Sequence, residues 1–135
     1  MRIVVDTNVI FDFFLFREPH YESAKEIFKL NYQKKIEAFT TASSVTDIFF
    51  ISEKFLGNEK ARQVIHDVLD MLKIIEVDGI DCRNALKLAI PDFEDALVIV
   101  CADKVNIDFI VTRDEEFLKV QNAIAPDEFL KKINP

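Results

Sequence analysis

Read for its hydrophobic and polar positions, the chain opens on a short β-branched run, Ile3-Val4-Val5, that stops on Asp6. A run without polar alternation suits a strand buried on both faces, as in the middle of a parallel sheet. Asp6 then stands at the carboxyl end of that strand, with Thr7 or Asn8 placed to cap the helix that follows. Val9 through Phe16 predicts a short apolar helix stopped near Pro19. From Tyr21 to Leu30 the apolar residues Ala24, Ile27, Phe28 and Leu30 fall at helical spacing. A second strand is expected over Ile36 to Thr40, and Ser43 or Ser44 caps a helix from Val45 to Phe55 that breaks at Gly57-Asn58. Glu59 to Leu72 is amphipathic, with Val64, Ile65, Val68, Leu69 and Leu72 on one side. Ile74 to Val77 reads as a third strand, Asp78-Gly79 as a turn, and Asp81 to Ala89 as a helix ended by Pro91.

The stretch Asp92 to Ala102 is ambiguous by periodicity, because Val98-Ile99-Val100 also suits a strand. It is read as a buried helix for three reasons. Asp92 is a good N-cap, Glu94 and Asp95 fall in the first turn where the helix dipole favours negative charge, and the run is long for a strand. Asp108 to Thr112 is a fourth strand, Asp114 to Leu118 a helical turn, and Ala123 to Ala125 a last edge strand before a helix starting at Pro126. Asn31 to Lys35 is a polar, basic linker between elements, and no internal repeat, low-complexity tract or domain boundary divides residues 1–135, so one domain is expected. Strands alternate with helices throughout, which predicts a three-layer α/β/α sandwich around a central, mostly parallel sheet.

Composition adds limits. Half the residues are hydrophobic, and thirteen Phe with no Trp point to a well-filled core. No apolar run approaches a membrane span and no leader pattern opens the chain, so a cytoplasmic protein with two reduced thiols, Cys82 and Cys101, is expected. With 17 basic and 24 acidic residues the net charge is −7. That argues against a broad basic surface for nucleic acid, but not against a nuclease, whose metal-binding carboxylates are themselves acidic.

The candidate chemistry lies in those carboxylates. In a parallel α/β unit, strand carboxyl ends and helix amino ends share one edge, where ligands bind. Four places put acids there: Asp6, Asp47, the pair Asp92 and Asp95, and Asp114. Each has a structural alternative. Ser44-x-x-Asp47 and Asp92-x-x-Asp95 resemble capping boxes, Asp114 suits a cap of the turn containing Phe117, and Asp6 suits a brace for Thr7-Asn8. Capping, however, needs acids near their own helices and not near each other. Carboxylates that converge repel and raise one another's pKa unless a cation neutralises them, and an all-oxygen site suits Mg²⁺ or Mn²⁺. Arg113, Lys54 and Lys104 are candidate phosphate contacts as well as ordinary surface charges. His20 and His66 have no paired ligand, Ser43-Ser44 has no His partner, and two glycines make no phosphate loop.

These blocks together resemble the PIN domain family. Ile3-Val4-Val5-Asp6-Thr7-Asn8 is similar to its opening strand and first acid, and Ser43-Ser44-Val45-Thr46-Asp47 to the helix bearing the second. Asp92-Phe93-Glu94-Asp95 is similar to the third block, and Phe109-Ile110-Val111-Thr112-Arg113-Asp114 to the closing strand and fourth acid. The resemblance implies a metal-dependent endoribonuclease, most often the toxin of a prokaryotic toxin–antitoxin pair, that tends to form homodimers. It carries the acidic roles onto Asp6, Asp47, Asp95 and Asp114, with Asp92 as a fifth metal-site residue and Asn8 and Thr112 as residues that orient them. Asp47 departs from the pattern, since Glu is common there. Two alternatives stay open: a non-catalytic PIN-like module that binds protein or RNA, and a metal-dependent phosphatase in which a strand also ends in Asp. For the phosphatase the expected second Asp is replaced by Asn8.

Overall fold

Ile3, Val4 and Val5 are all at most 1% exposed, which only the middle of a covered sheet provides. In the computed structural model, which describes residues 1–134, they lie in β1 (Arg2–Val5). The other strands are β2 (Glu37–Thr41), β3 (Lys73–Ile75), β4 (Phe109–Val111) and β5 (Ala123–Ile124). All pair in parallel, in the order β3-β2-β1-β4-β5, with Val4 opposite Phe39 on one side and Ile110 on the other. The chain builds outward from β1 in one direction and then returns to its other side with β4. The strand order therefore reverses at β1, and the crevice at its carboxyl end is where such sheets bind ligands.

The pleat divides the core. Ile3, Val5, Ala38, Val111 and Ile124 point to one face, where α1 (Thr7–Phe14), α2 (Tyr21–Tyr32), α3 (Ala42–Leu56), α4 (Asn58–Met71) and α7 (Pro126–Ile133) cover them. Val4, Phe39, Ile75 and Ile110 point to the other and meet α6 (Phe93–Lys104) and the 3₁₀ turn Phe117–Lys119. α5 (Gly79–Leu86) packs on the outer side of α6 through Ala85, Ala96 and Leu97. The expected three-layer α/β/α arrangement is the one observed. α6 is apolar almost all round because it is sandwiched between the sheet and α5, which is why its period was ambiguous.

Several local expectations shift. Asp6, not Thr7 or Asn8, is the N-cap of α1 and accepts the Thr7 amide at 2.8 Å. Thr41, the last residue of β2, caps α3 by accepting the Ser44 amide at 3.1 Å, so neither Ser43 nor Ser44 is the cap. Strand passes to helix with no loop between, α3 begins at Ala42, and Asp47 falls in its second turn. Asp78 and Asp81 form a reciprocal capping box that starts α5 at Gly79, where a turn was expected. Leu69 is 52% exposed and so lies off the buried stripe of α4. Gly57, at φ 85° and ψ 167°, makes the sharp corner between α3 and α4, a conformation that favours glycine.

Candidate active site

The edge formed by the carboxyl ends of β1 and β4 and the amino end of α6 gathers the acids. Asp6 is 9% exposed. Its Oδ1 accepts the Thr7 amide, and its Oδ2 accepts the Thr112 hydroxyl at 2.7 Å and the Asn8 amide group at 3.3 Å. Asn8 Nδ2 also donates to Thr112 Oγ1 at 3.3 Å, and Thr112 Oγ1 accepts the Asp114 amide at 3.1 Å. Thr112 and Asn8 thus both hydrogen-bond to the same oxygen of Asp6.

Asp92 caps α6, accepting the Asp95 amide at 3.0 Å. Asp114 accepts the Glu116 amide at 2.9 Å and the Phe117 amide at 3.5 Å. The capping alternative therefore describes one oxygen of each of these two acids. It does not describe Asp47, which is past the first turn, nor Asp95, whose carboxylate closes no cap box. Asp92, Asp95 and Asp114 all line one cavity of about 270 Å³, walled otherwise by Ile90, Pro91, Phe117 and their neighbours. A larger depression of about 760 Å³ opens at the opposite, amino end of the strands. Its Arg2 and Lys73 are committed to Glu37, and it has no carboxylate cluster.

The acids act on one another. Burial pushes the Asp6 carboxyl above its ordinary range, against the Thr112 and Thr7 hydrogen bonds, and Asp114 and Asp92 push it further. Asp95 is pushed up to about 7, first by burial, then by Asp92, Asp6 and Asp114. Glu94 is pushed up to about 8 by burial and by a hydrogen bond with the Asp47 carboxyl, with Asp47, Asp6 and Asp92 adding repulsion. Glu94 is the residue that sequence reasoning missed as part of this group. Its place in the first turn was read as an interaction with the helix dipole, and only the packing of α6 shows it turned toward Asp47.

Two of the three cations named as candidate phosphate contacts are committed elsewhere, while Lys54 lies in the last turn of α3, far along that helix from its amino end. Arg113 grips Asp12 through two hydrogen bonds, of 2.5 and 2.8 Å, and Lys104 holds the buried Asp81 at 2.6 Å. Asp12 too was passed over, although a single acid inside the apolar run Val9 to Phe16 was a signal. Among the described residues, no three carboxylate, imidazole or thiol groups already close around one point, and both cysteines are free. Among the described residues, no salt bridge neutralises Asp6, Asp47, Asp92, Glu94, Asp95 or Asp114. That donor set, hard and anionic, fits a divalent cation such as Mg²⁺ or Mn²⁺.

Comparison with known proteins places the chain. The family model of the PIN domain matches residues 2–116. The chain belongs to the PIN domain family. Among its relatives is "Ribonuclease VapC1" of Aquifex aeolicus, 24% identical over 139 residues, which cover 98% of this chain and 96% of that protein. The PIN fold is shared with VapC20 of Mycobacterium tuberculosis, described as a "Sarcin-Ricin loop cleaving toxin". That match has a TM-score of 0.73 and 16% identity and covers 89% of this chain and 95% of the other. VapBC2 of Rickettsia felis, solved on a DNA fragment from its promoter, matches with a TM-score of 0.69 and 18% identity, over 93% of this chain and 97% of the other.

Proposed function

We propose that this PIN domain is an endoribonuclease dependent on Mg²⁺ or Mn²⁺, and the toxin of a toxin–antitoxin pair. The observation that carries the reading is the convergence of Asp6 from the end of β1, Glu94 and Asp95 from the first turn of α6, and Asp114 from the loop after β4 on one edge, with no salt bridge to any of them among the described residues. The ribonuclease relative and the toxin neighbours support the same activity. Asp6, Asp95 and Asp114 would hold the ion, with Asp47, Glu94 and Asp92 completing the site directly or through water. A bound divalent ion supplies a Lewis acid that makes water a competent nucleophile near neutral pH and offsets charge on the phosphodiester.

The chain's own residues do the rest. Thr112 and Asn8 fix the rotation of Asp6 through its Oδ2. Asp92 holds the amino end of α6 at the cavity, where the positive end of the helix dipole favours an RNA phosphate. Burial and neighbouring acids raise Glu94 to about 8 and Asp95 to about 7, so holding a divalent ion there would be coupled to loss of their protons. The −7 charge suits a short basic antitoxin segment that inserts Arg or Lys among the carboxylates. Exposed Phe16 and Phe55, which border an open apolar hollow with Phe14 and Leu56, suit a protein partner or a second copy of the chain. A homodimer in the cytoplasm is part of the same proposal.

The test is cleavage of labelled single-stranded RNA with Mg²⁺ or Mn²⁺, by wild type, wild type plus chelator, and Asp6→Asn purified identically. Metal-dependent cleavage that the variant lacks is expected. Equal cleavage by both proteins, or none with either ion, would favour a PIN module that only binds.

A further inference from the structure

We propose that Asp12, acting through Arg113, is a positioning residue for the carboxylate site. The inference rests on the metal-dependent reading above. Asp12 lies in the last turn of α1 and is wholly buried. Both of its oxygens accept from Arg113, Oδ2 from Nε at 2.5 Å and Oδ1 from Nη2 at 2.8 Å. Arg113 stands between Thr112 and Asp114, in the loop that leaves β4. All three residues of that loop are tied down. Thr112 donates to Asp6, the Arg113 backbone amide donates to Asn8 Oδ1 at 3.2 Å, and the Asp114 amide donates to Thr112 Oγ1. α1 therefore holds the loop at two points, Asn8 near its start and Asp12 near its end. The loop in turn carries Asp114, whose Oδ1 is held by the Glu116 and Phe117 amides while its Oδ2 has no hydrogen-bond partner among the described residues.

Stability alone does not call for an ionic pair here. A buried pair replaced by apolar side chains of similar volume is often neutral or better for the fold. What the fork adds is a fixed orientation, since two parallel hydrogen bonds leave the guanidinium one pose. The same grip holds the Arg113 guanidinium on both oxygens of Asp12. A guanidinium released beside Asp114 would compete with a divalent cation for those oxygens.

The test uses full-length protein stripped of metal and titrated with Mn²⁺, followed by calorimetry or by the signal of free Mn²⁺ in electron paramagnetic resonance. The variants are Asp12→Leu together with Arg113→Met, and Arg113→Lys alone. Urea unfolding runs in parallel. The paired apolar replacement is expected to keep near-native stability, yet both variants should bind Mn²⁺ about tenfold more weakly, as loss of an outer-shell partner does. Should the double variant not fold, Arg113→Lys decides, because it keeps the charge and loses only the fork. In an Asp114→Asn background, Arg113→Lys should change affinity little, since the path through Asp114 is already cut. Folded variants that bind Mn²⁺ like the wild type would overturn the inference, as would an undiminished effect in the Asp114→Asn background. Wild type that binds neither Mn²⁺ nor Mg²⁺ would overturn the metal-dependent reading itself, and this inference with it.

Discussion

Glu94→Gln separates repulsion among the carboxylates from ordinary capping. In the unfolded chain Glu94 ionises at the ordinary 4.5, and in the folded protein at about 8. The folded state therefore holds the proton more tightly, and stability contributed at low pH is lost as pH rises through that window. The contribution is fully present below 4.5 and gone above 8. Taken whole, that gap corresponds to roughly 5 kcal/mol. Glu94 is only partly buried, so screening by water reduces it to about 1–2 kcal/mol. Gln resembles the protonated carboxyl in shape and cannot ionise. In chelator, urea unfolding should find the two proteins equally stable at pH 5, and the variant more stable by about 1–2 kcal/mol at pH 8.5. Mg²⁺ or Mn²⁺ at a hundred times its dissociation constant should then stabilise the wild type by about 2.7 kcal/mol and the variant less. A gap that does not change with pH, or a variant less stable than wild type at pH 8.5 without metal, would mean that repulsion among the carboxylates does not act on Glu94.

Two further outcomes follow from the fold. Gly57→Ala should destabilise by about 1–2 kcal/mol in thermal unfolding, although nothing crowds its side-chain position, because φ 85° with ψ 167° is a region L-residues avoid. Asp81→Ala should cost about 2 kcal/mol at pH 7, less than a fully buried pair because Lys104 is partly in water. Hydrogen bonding to Lys104 holds the Asp81 carboxyl below 3.8, so its contribution is present above that pH and lost as pH falls through the lower folded value. The difference between variant and wild type should therefore shrink in strong acid, as urea midpoints at pH 7 and pH 2 would show.

The parts of the fold that local rules govern were legible in the residues. Ile3-Val4-Val5 announced the central strand, and Asp92 with its following acids outweighed the strand-like Val98-Ile99-Val100. That Asp6, Asp95 and Asp114 share one edge was legible because parallel topology sends strand ends and helix starts to the same side. What was not legible depended on contacts between distant segments. Thr41 serves as both strand end and helix cap, and that moved Asp47 a turn deeper than its spacing implied. Glu94 reads like any acid in a first turn until α6 is placed between the sheet and α5, which turns it toward Asp47. Arg113 looked like a surface cation because its partner, Asp12, lies about a hundred residues earlier in the chain.

Capping alone and a divalent metal centre make opposite demands on these carboxylates, since only the second brings a cation among them. Anomalous scattering from crystals soaked in Mn²⁺ tests for that centre most directly. A peak bounded by Asp6, Asp95 and Asp114 is expected, lost in crystals of Asp95→Asn that keep the same fold. Mn²⁺ found only elsewhere on the surface, or a peak at that edge which Asp95→Asn leaves unchanged, would contradict it.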